Sequence, residues 1–125
     1  METTHQKIVI IGIVGPCASG KTTLISALHW EGVQFRHIAQ EHSYVPTMWR
    51  RLTNPAVLIY LDASYEVTCK RRRLNWTEAE YQEQKNRLSH ARENADLYIL
   101  TDYLTPQDVI QTVKNYLSMR GIIQQ

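Results

Sequence analysis

Residues 15–22 read Gly-Pro-Cys-Ala-Ser-Gly-Lys-Thr, a G-x-x-x-x-G-K-[ST] spacing set between two segments of opposite periodicity. Before it, Lys7–Val14 reads K-I-V-I-I-G-I-V. A β-branched run without alternation suits a strand buried on both faces, as in a parallel sheet. After it, Leu24, Ile25 and Leu28 predict a helix over Lys21–Glu31 with a narrow apolar stripe, stopped by Gly32. A buried strand, a loop of small residues and a helix, in that order, direct the chain toward α/β architectures.

The loop itself has a chemistry. Gly15 and Gly20 allow backbone angles that residues with side chains resist. The amides can then turn inward around phosphate oxygens, and the start of the next helix adds partial positive charge. Gly15, Pro16, Cys17, Ala18, Ser19, Gly20, Lys21, Thr22 and Thr23 are therefore the expected cradle for the phosphates of ATP or another nucleoside triphosphate. Lys21 is the expected cation for the β- and γ-phosphates, and the Thr22 hydroxyl an expected Mg²⁺ ligand. Cys17 reads first as a small residue that fits a tight loop, and second as a redox-sensitive thiol near positive charge.

Downstream, strands and helices keep alternating. Val33–Gln40 is a weaker strand, and Glu41–Thr47 a loop whose Pro46 ends pairing. Thr47–Leu52 allows one helical turn, and Asn54-Pro55 marks a turn. Ala56–Asp62 reads as a second buried strand ending in an acid. Ser64 caps a helix to about Arg73, and Leu74–Trp76 breaks it. Thr77 and Glu80 form a capping box for a very polar helix reaching about Asn94. Ala79, Tyr81, Leu88, Ala91 and Ala95 are its candidates for burial. Leu97–Thr101 is a short strand. Pro106 opens a last helix with Val109, Ile110, Val113, Tyr116 and Leu117 on one face, ended by Gly121. The expected fold is a three-layer α/β/α P-loop NTPase fold with a small, mainly parallel sheet of about four strands, in one domain over residues 1–125.

Composition narrows the classes. Apolar residues make up 43% of 125, enough for one core. The longest apolar run, Ile8–Val14, is far shorter than the roughly 20 residues of a membrane span, and residues 1–7 lack a signal-peptide pattern. The expectation is a cytosolic protein without a membrane partner. A formal charge of +2 does not argue for nucleic acid. The two cysteines are expected to be reduced thiols, and the five histidines show no metal-ligand spacing. A small sheet with open edges leaves room for a homodimer.

The chain resembles, over nearly its whole length, the small P-loop kinases of nucleosides, nucleotides and shikimate. The resemblance rests on Gly15–Thr23, on Val57–Asp62 with Ser64–Val67, on the lid-like Lys70-Arg71-Arg72-Arg73, and on Asp96–Asp102 with Leu104–Val109. It implies an ATP- and Mg²⁺-dependent phosphotransferase whose γ-phosphoryl moves to a small acceptor. Arg71 or Arg73 would then close on the phosphates beside Lys21 through a small hinge at residues 74–76. Glu41, near the carboxyl end of its strand, is the expected helper for Mg²⁺ or base, with Asp62 its rival. His42 could touch an acceptor, Arg50 and Arg51 could bind an acidic group on it, and Tyr44 and Trp49 either stack on a ring or pack. Arg87 and Arg92 read as solvated. Only Val33–Pro55 is available to hold an acceptor, which keeps open a nucleotide-binding module or slow NTPase. The basic cluster keeps open a polynucleotide end kinase.

Overall fold

The two most apolar runs of the chain sit side by side at the centre of the sheet. In the computed structural model, which describes residues 8–72 and 75–124, strand β1 is Val9–Val14 and β3 is Val57–Asp62. All six residues of β3 are buried, which explains a strand without polar alternation. Strand β2, Val33–His37, and β4, Leu97–Leu100, lie at the edges, and both alternate toward solvent. The order is β2-β1-β3-β4, and every pairing is parallel.

Helices cover both faces. Helix α1 (Lys21–Ala27) and α5 (Pro106–Met119) bring Leu24, Val109, Val113 and Leu117 against Ile11, Ile13, Ile59, Leu61 and Ile99. Helix α2 (Met48–Leu52) and α4 (Glu78–Glu93) bring Trp49, Leu88 and Ala91 against Val14, Leu58 and Tyr60. Helix α3, Tyr65–Arg72, follows β3. Among the described residues no helix is long and apolar enough to cross a membrane.

The predicted capping box of Thr77 with Glu80 forms, and the last helix, which the sequence marked by Pro106 alone, opens on a second box of Thr105 with Asp108. Other boundaries move. Helix α1 stops at Ala27, not Glu31, because Leu28 turns extended and Trp30 bridges to Val33 and packs on Phe35. Strand β2 stops at His37, and a 3-10 turn, Gln40–His42, follows it. Gln40 is fully buried there; its amide donates to Val45 O and Arg87 O and accepts from Trp49 N. On α4 the buried polar residue is Gln84, whereas Ala79 is exposed. Arg73 and Leu74 lie outside the described residues. Trp76, the last residue of the predicted break, is tied to α3 twice: its carbonyl accepts from Tyr65 Oη at 2.6 Å and its indole N–H donates to Thr68 Oγ1 at 3.3 Å.

After β1 the chain crosses to β2 on one side, and after β2 it returns to β3 on the other. The carboxyl ends of β1 and β3 therefore flank the point where strand order reverses, the usual crevice for ligands in such sheets. Residues 15–22 emerge there.

Candidate functional site

The loop after β1 is held in one shape by its backbone. Gly15 has φ +155°, and a Cβ on it would lie 2.0 Å from Leu61 O, so no other residue fits. Ser19 N donates to Pro16 O at 3.2 Å and closes the turn. Ala18 adopts φ 64°, a left-handed conformation that strains an L-residue. Gly20, at φ 105°, starts α1.

Lys21 is buried under this loop. Its ammonium donates to Gly15 O and Pro16 O and pairs with Glu41 Oε2 at 3.0 Å. Glu41 is equally buried, and its other oxygen, Oε1, has no hydrogen-bond partner. The 3-10 turn that carries Glu41 sets it beyond β2 and not at the strand's end. Lys21, Thr22, Thr23 and Glu41 line one cavity of about 330 Å³ with Cys17, Ala18, Gly20, His37, His42 and Arg71. Ser19 Oγ is likewise buried without a partner.

Asp62 is engaged elsewhere. Its carboxylate pairs with Lys85 at 2.6 Å and accepts from Tyr98 Oη at 2.6 Å and from Ala63 N at 2.9 Å. Burial and the hydrogen bond to Asp62 push the Tyr98 hydroxyl up to about 12, so it stays a donor. Of the two candidate acids, Glu41 is the one that faces the loop's cavity.

Arg71, on α3, reaches across the loop. It donates from Nη1 to Thr101 Oγ1 at 2.8 Å and to Ala18 O at 3.2 Å, and from Nη2 to Thr101 O. Its guanidinium already rests on the loop, with no hinge movement needed to bring it there. Arg73, the other candidate, lies outside the described residues. Arg71 also separates the polar cavity from a second one of about 260 Å³, largely apolar, lined by Leu24, Thr101, Leu104, Pro106 and Val109. The sequence reading missed this second cavity. Its signal was the segment after β4, which leaves the sheet at the same edge as the loop.

The remaining candidates divide. Trp49 is buried in the core, with its indole N–H donating to His90 Nδ1 at 3.1 Å, so it packs and offers no open face. Arg50 lies over the Trp49 ring, and Arg50 and Arg51 are exposed. Arg87 is not simply solvated: it is half-buried, donates to Glu41 O at 3.3 Å and lies over the Tyr44 ring at 4.3 Å. Arg92 is exposed over Tyr98. The absence of metal-ligand spacing in the sequence did not extend to space, since Cys17, Glu41 and His42 come together.

His37 carries a pH dependence. Burial first, and the Lys21 charge second, lower its pKa from 6.5. The folded chain thus holds fewer protons on this ring than the unfolded chain does. Its contribution to stability is present above about pH 6.5 and lost as pH falls through the lowered folded value. The urea midpoint of wild type should drop between about pH 7.5 and about pH 5.5 by more than that of His37→Gln. Equal drops would remove His37 as a source of acid sensitivity.

No protein-family model and no curated protein matches the chain.

Proposed function

We propose that the chain is a P-loop phosphotransferase that binds ATP, or another nucleoside triphosphate, with Mg²⁺ and moves the γ-phosphoryl group to a small acceptor such as a nucleoside, a nucleotide or another small metabolite. The observation that carries the reading is the convergence of Lys21, Thr22, Glu41 and Arg71 on one cavity at the reversal point of a parallel sheet. The donor set fits the implied groups. The Thr22 hydroxyl and the Glu41 carboxylate are the oxygen ligands that Mg²⁺ prefers, and Glu41 Oε1 is buried without a partner. Bound Mg²⁺ would neutralise charge on the phosphates.

The chain's own residues do the rest by position and charge. Loop amides would present donors to anionic oxygens, apart from Pro16, which has no N–H, and Cys17 and Ser19, whose N–H groups already donate to Gln84 Oε1 and Pro16 O. Lys21 supplies a cation whose place is fixed by Gly15 O, Pro16 O and Glu41. Arg71 supplies a planar donor suited to phosphate oxygens, anchored by Thr101. The apolar cavity beyond Arg71 suits the base, with Leu24, Leu104 and Val109 as its walls.

One observation favours a second reading, a nucleotide-binding module or slow NTPase. Between β2 and β3 stand only the Gln40–His42 turn and the five-residue α2, and α2 turns Trp49 into the core. No separate acceptor-binding unit occurs among those described residues. The test is a thermal shift followed by a turnover screen. ATP with Mg²⁺ at about 100 times its Kd should add about 2.7 kcal/mol to stability. ADP release should then rise with one class of small acceptor. Stabilisation without acceptor-dependent release would favour the module, and no stabilisation by any nucleoside triphosphate would sink both.

A further inference from the structure

We infer that Cys17, Glu41 and His42 form a binding site for a thiophilic divalent cation of the Zn²⁺ class at the mouth of the Gly15–Thr22 loop. The three residues come from two loops, one after β1 and one after β2. Cys17 Sγ lies 3.9 Å from His42 Nε2, and His42 Nε2 lies 3.8 Å from Glu41 Oε2. One ligand atom from each residue lies within 4.8 Å of the other two. Tetrahedral Zn²⁺ at roughly 2.0–2.3 Å from its ligands keeps them about 3.3–3.6 Å apart. The observed separations of the Cys17–His42 and His42–Glu41 pairs exceed that range by only a few tenths of an ångström.

Glu41 is shared with the magnesium ligands proposed above, and Cys17 and His42 are what set this site apart. Magnesium takes oxygen ligands, whereas one sulfur, one imidazole nitrogen and one carboxylate oxygen are a zinc set. Three protein ligands leave a fourth tetrahedral position for water or an anion. On binding, the S–H bond of Cys17 breaks, its proton leaves to solvent, and a metal–sulfur bond forms without any redox change.

Two further features point to a ligand here. Glu41 Oε1 is buried and has no partner, while Oε2, the oxygen 3.8 Å from His42 Nε2, is already paired with Lys21 at 3.0 Å. A buried carboxylate oxygen without a partner is costly, and a metal ion would satisfy it. Gln84, buried on α4, holds Cys17 by both ends of its amide: Oε1 accepts from Cys17 N at 3.0 Å, and Nε2 donates to Cys17 Sγ at 3.2 Å. A metal-bound sulfur with a hydrogen-bond donor aimed at it is oriented in the way outer-shell partners orient ligands. The metal site does not depend on the nucleotide reading.

The test uses the full chain, reduced and free of nucleotide, titrated with Co²⁺ as a spectroscopic stand-in for Zn²⁺. One equivalent should give the visible bands of tetrahedral cobalt and a near-ultraviolet sulfur-to-metal charge-transfer band, and Zn²⁺ should bleach both. Cys17→Ser should lose the charge-transfer band, and Cys69→Ser should keep it. His42→Ala and Glu41→Gln should each weaken binding at least about tenfold, judged by competition with a chromophoric chelator. Circular dichroism checks that each variant is folded. No band in the wild type overturns the site, whatever the variants do. A band that survives Cys17→Ser and vanishes in Cys69→Ser overturns it equally. Nucleotide binding is measured separately by thermal shift, so a failure there bears on the phosphotransferase reading alone.

Discussion

Replacing Lys21 with methionine is expected to cost the protein about 3 kcal/mol of stability and, on the proposed function, to abolish stabilisation by nucleotide. Lys21 and Glu41 are both almost fully buried, and their pairing is the only ionic contact at 3.0 Å or less that Glu41 has among the described residues. Methionine keeps the unbranched apolar stem and removes the ammonium. A buried carboxylate is then left without its counter-charge, with one oxygen already lacking a partner. Breaking such a pair is far more harmful than replacing it whole. The double variant Lys21→Met/Glu41→Gln should therefore recover most of the lost stability. On the proposed function it should recover none of the nucleotide response, because the cation proposed to face phosphate is still missing. Urea midpoints give the stability, and thermal shift with ATP and Mg²⁺ gives the binding. A Lys21→Met variant that loses less than about 1 kcal/mol would mean that the pair is wetter than its burial implies. A double variant that responds to nucleotide like wild type would remove Lys21 from the phosphate site.

How far this could be read in advance depends on the range of each interaction. Strands β1 and β3 were legible because burial on both faces leaves an apolar run in the sequence. The capping box of Thr77 with Glu80 was legible because both partners lie within one helical turn. The end of α1 was not, since it depends on Trp30 meeting Val33 and Phe35 after the chain has turned. Gln84 was not, because a glutamine on a polar helix looks solvent-facing until Cys17, 67 residues earlier, arrives beside it. The choice between Glu41 and Asp62 was open in the sequence for the same reason. Lys85 and Tyr98, which engage Asp62, come 23 and 36 residues later. Local rules found the loop and its flanks. What decides which acid faces the loop's cavity, and brings Arg71 onto the loop, is long-range packing.

The second large effect is expected at Arg71. Its guanidinium touches Ala18 O, Thr101 O and Thr101 Oγ1, and so sits across the Gly15–Thr22 loop and borders both cavities. If phosphoryl transfer occurs, this is the planar cation nearest the loop among the described residues, and it would stabilise charge spread over the transferred oxygens. Arg71→Ala should then cut acceptor-dependent turnover by about 10²–10³-fold, the usual effect of losing one preorganised donor. Nucleotide Kd should rise by roughly tenfold or less, since the loop and Lys21 still hold the ground state. Arg71→Lys should rescue little, because a lysine is a point charge and cannot hold the two Thr101 acceptors and the loop together. Thr101→Val separates anchoring from charge. It removes one hydrogen bond to Arg71, together with the hydroxyl's contacts to Ser19 O and Asp62 O, and keeps the guanidinium, so turnover should fall by about tenfold and no further. A module forecasts another pattern, in which affinity falls in step with each lost contact and no transfer exists to slow. Equal turnover in wild type and Arg71→Ala would leave Arg71 as a brace between the loop and β4, and the catalytic charge would have to come from another residue.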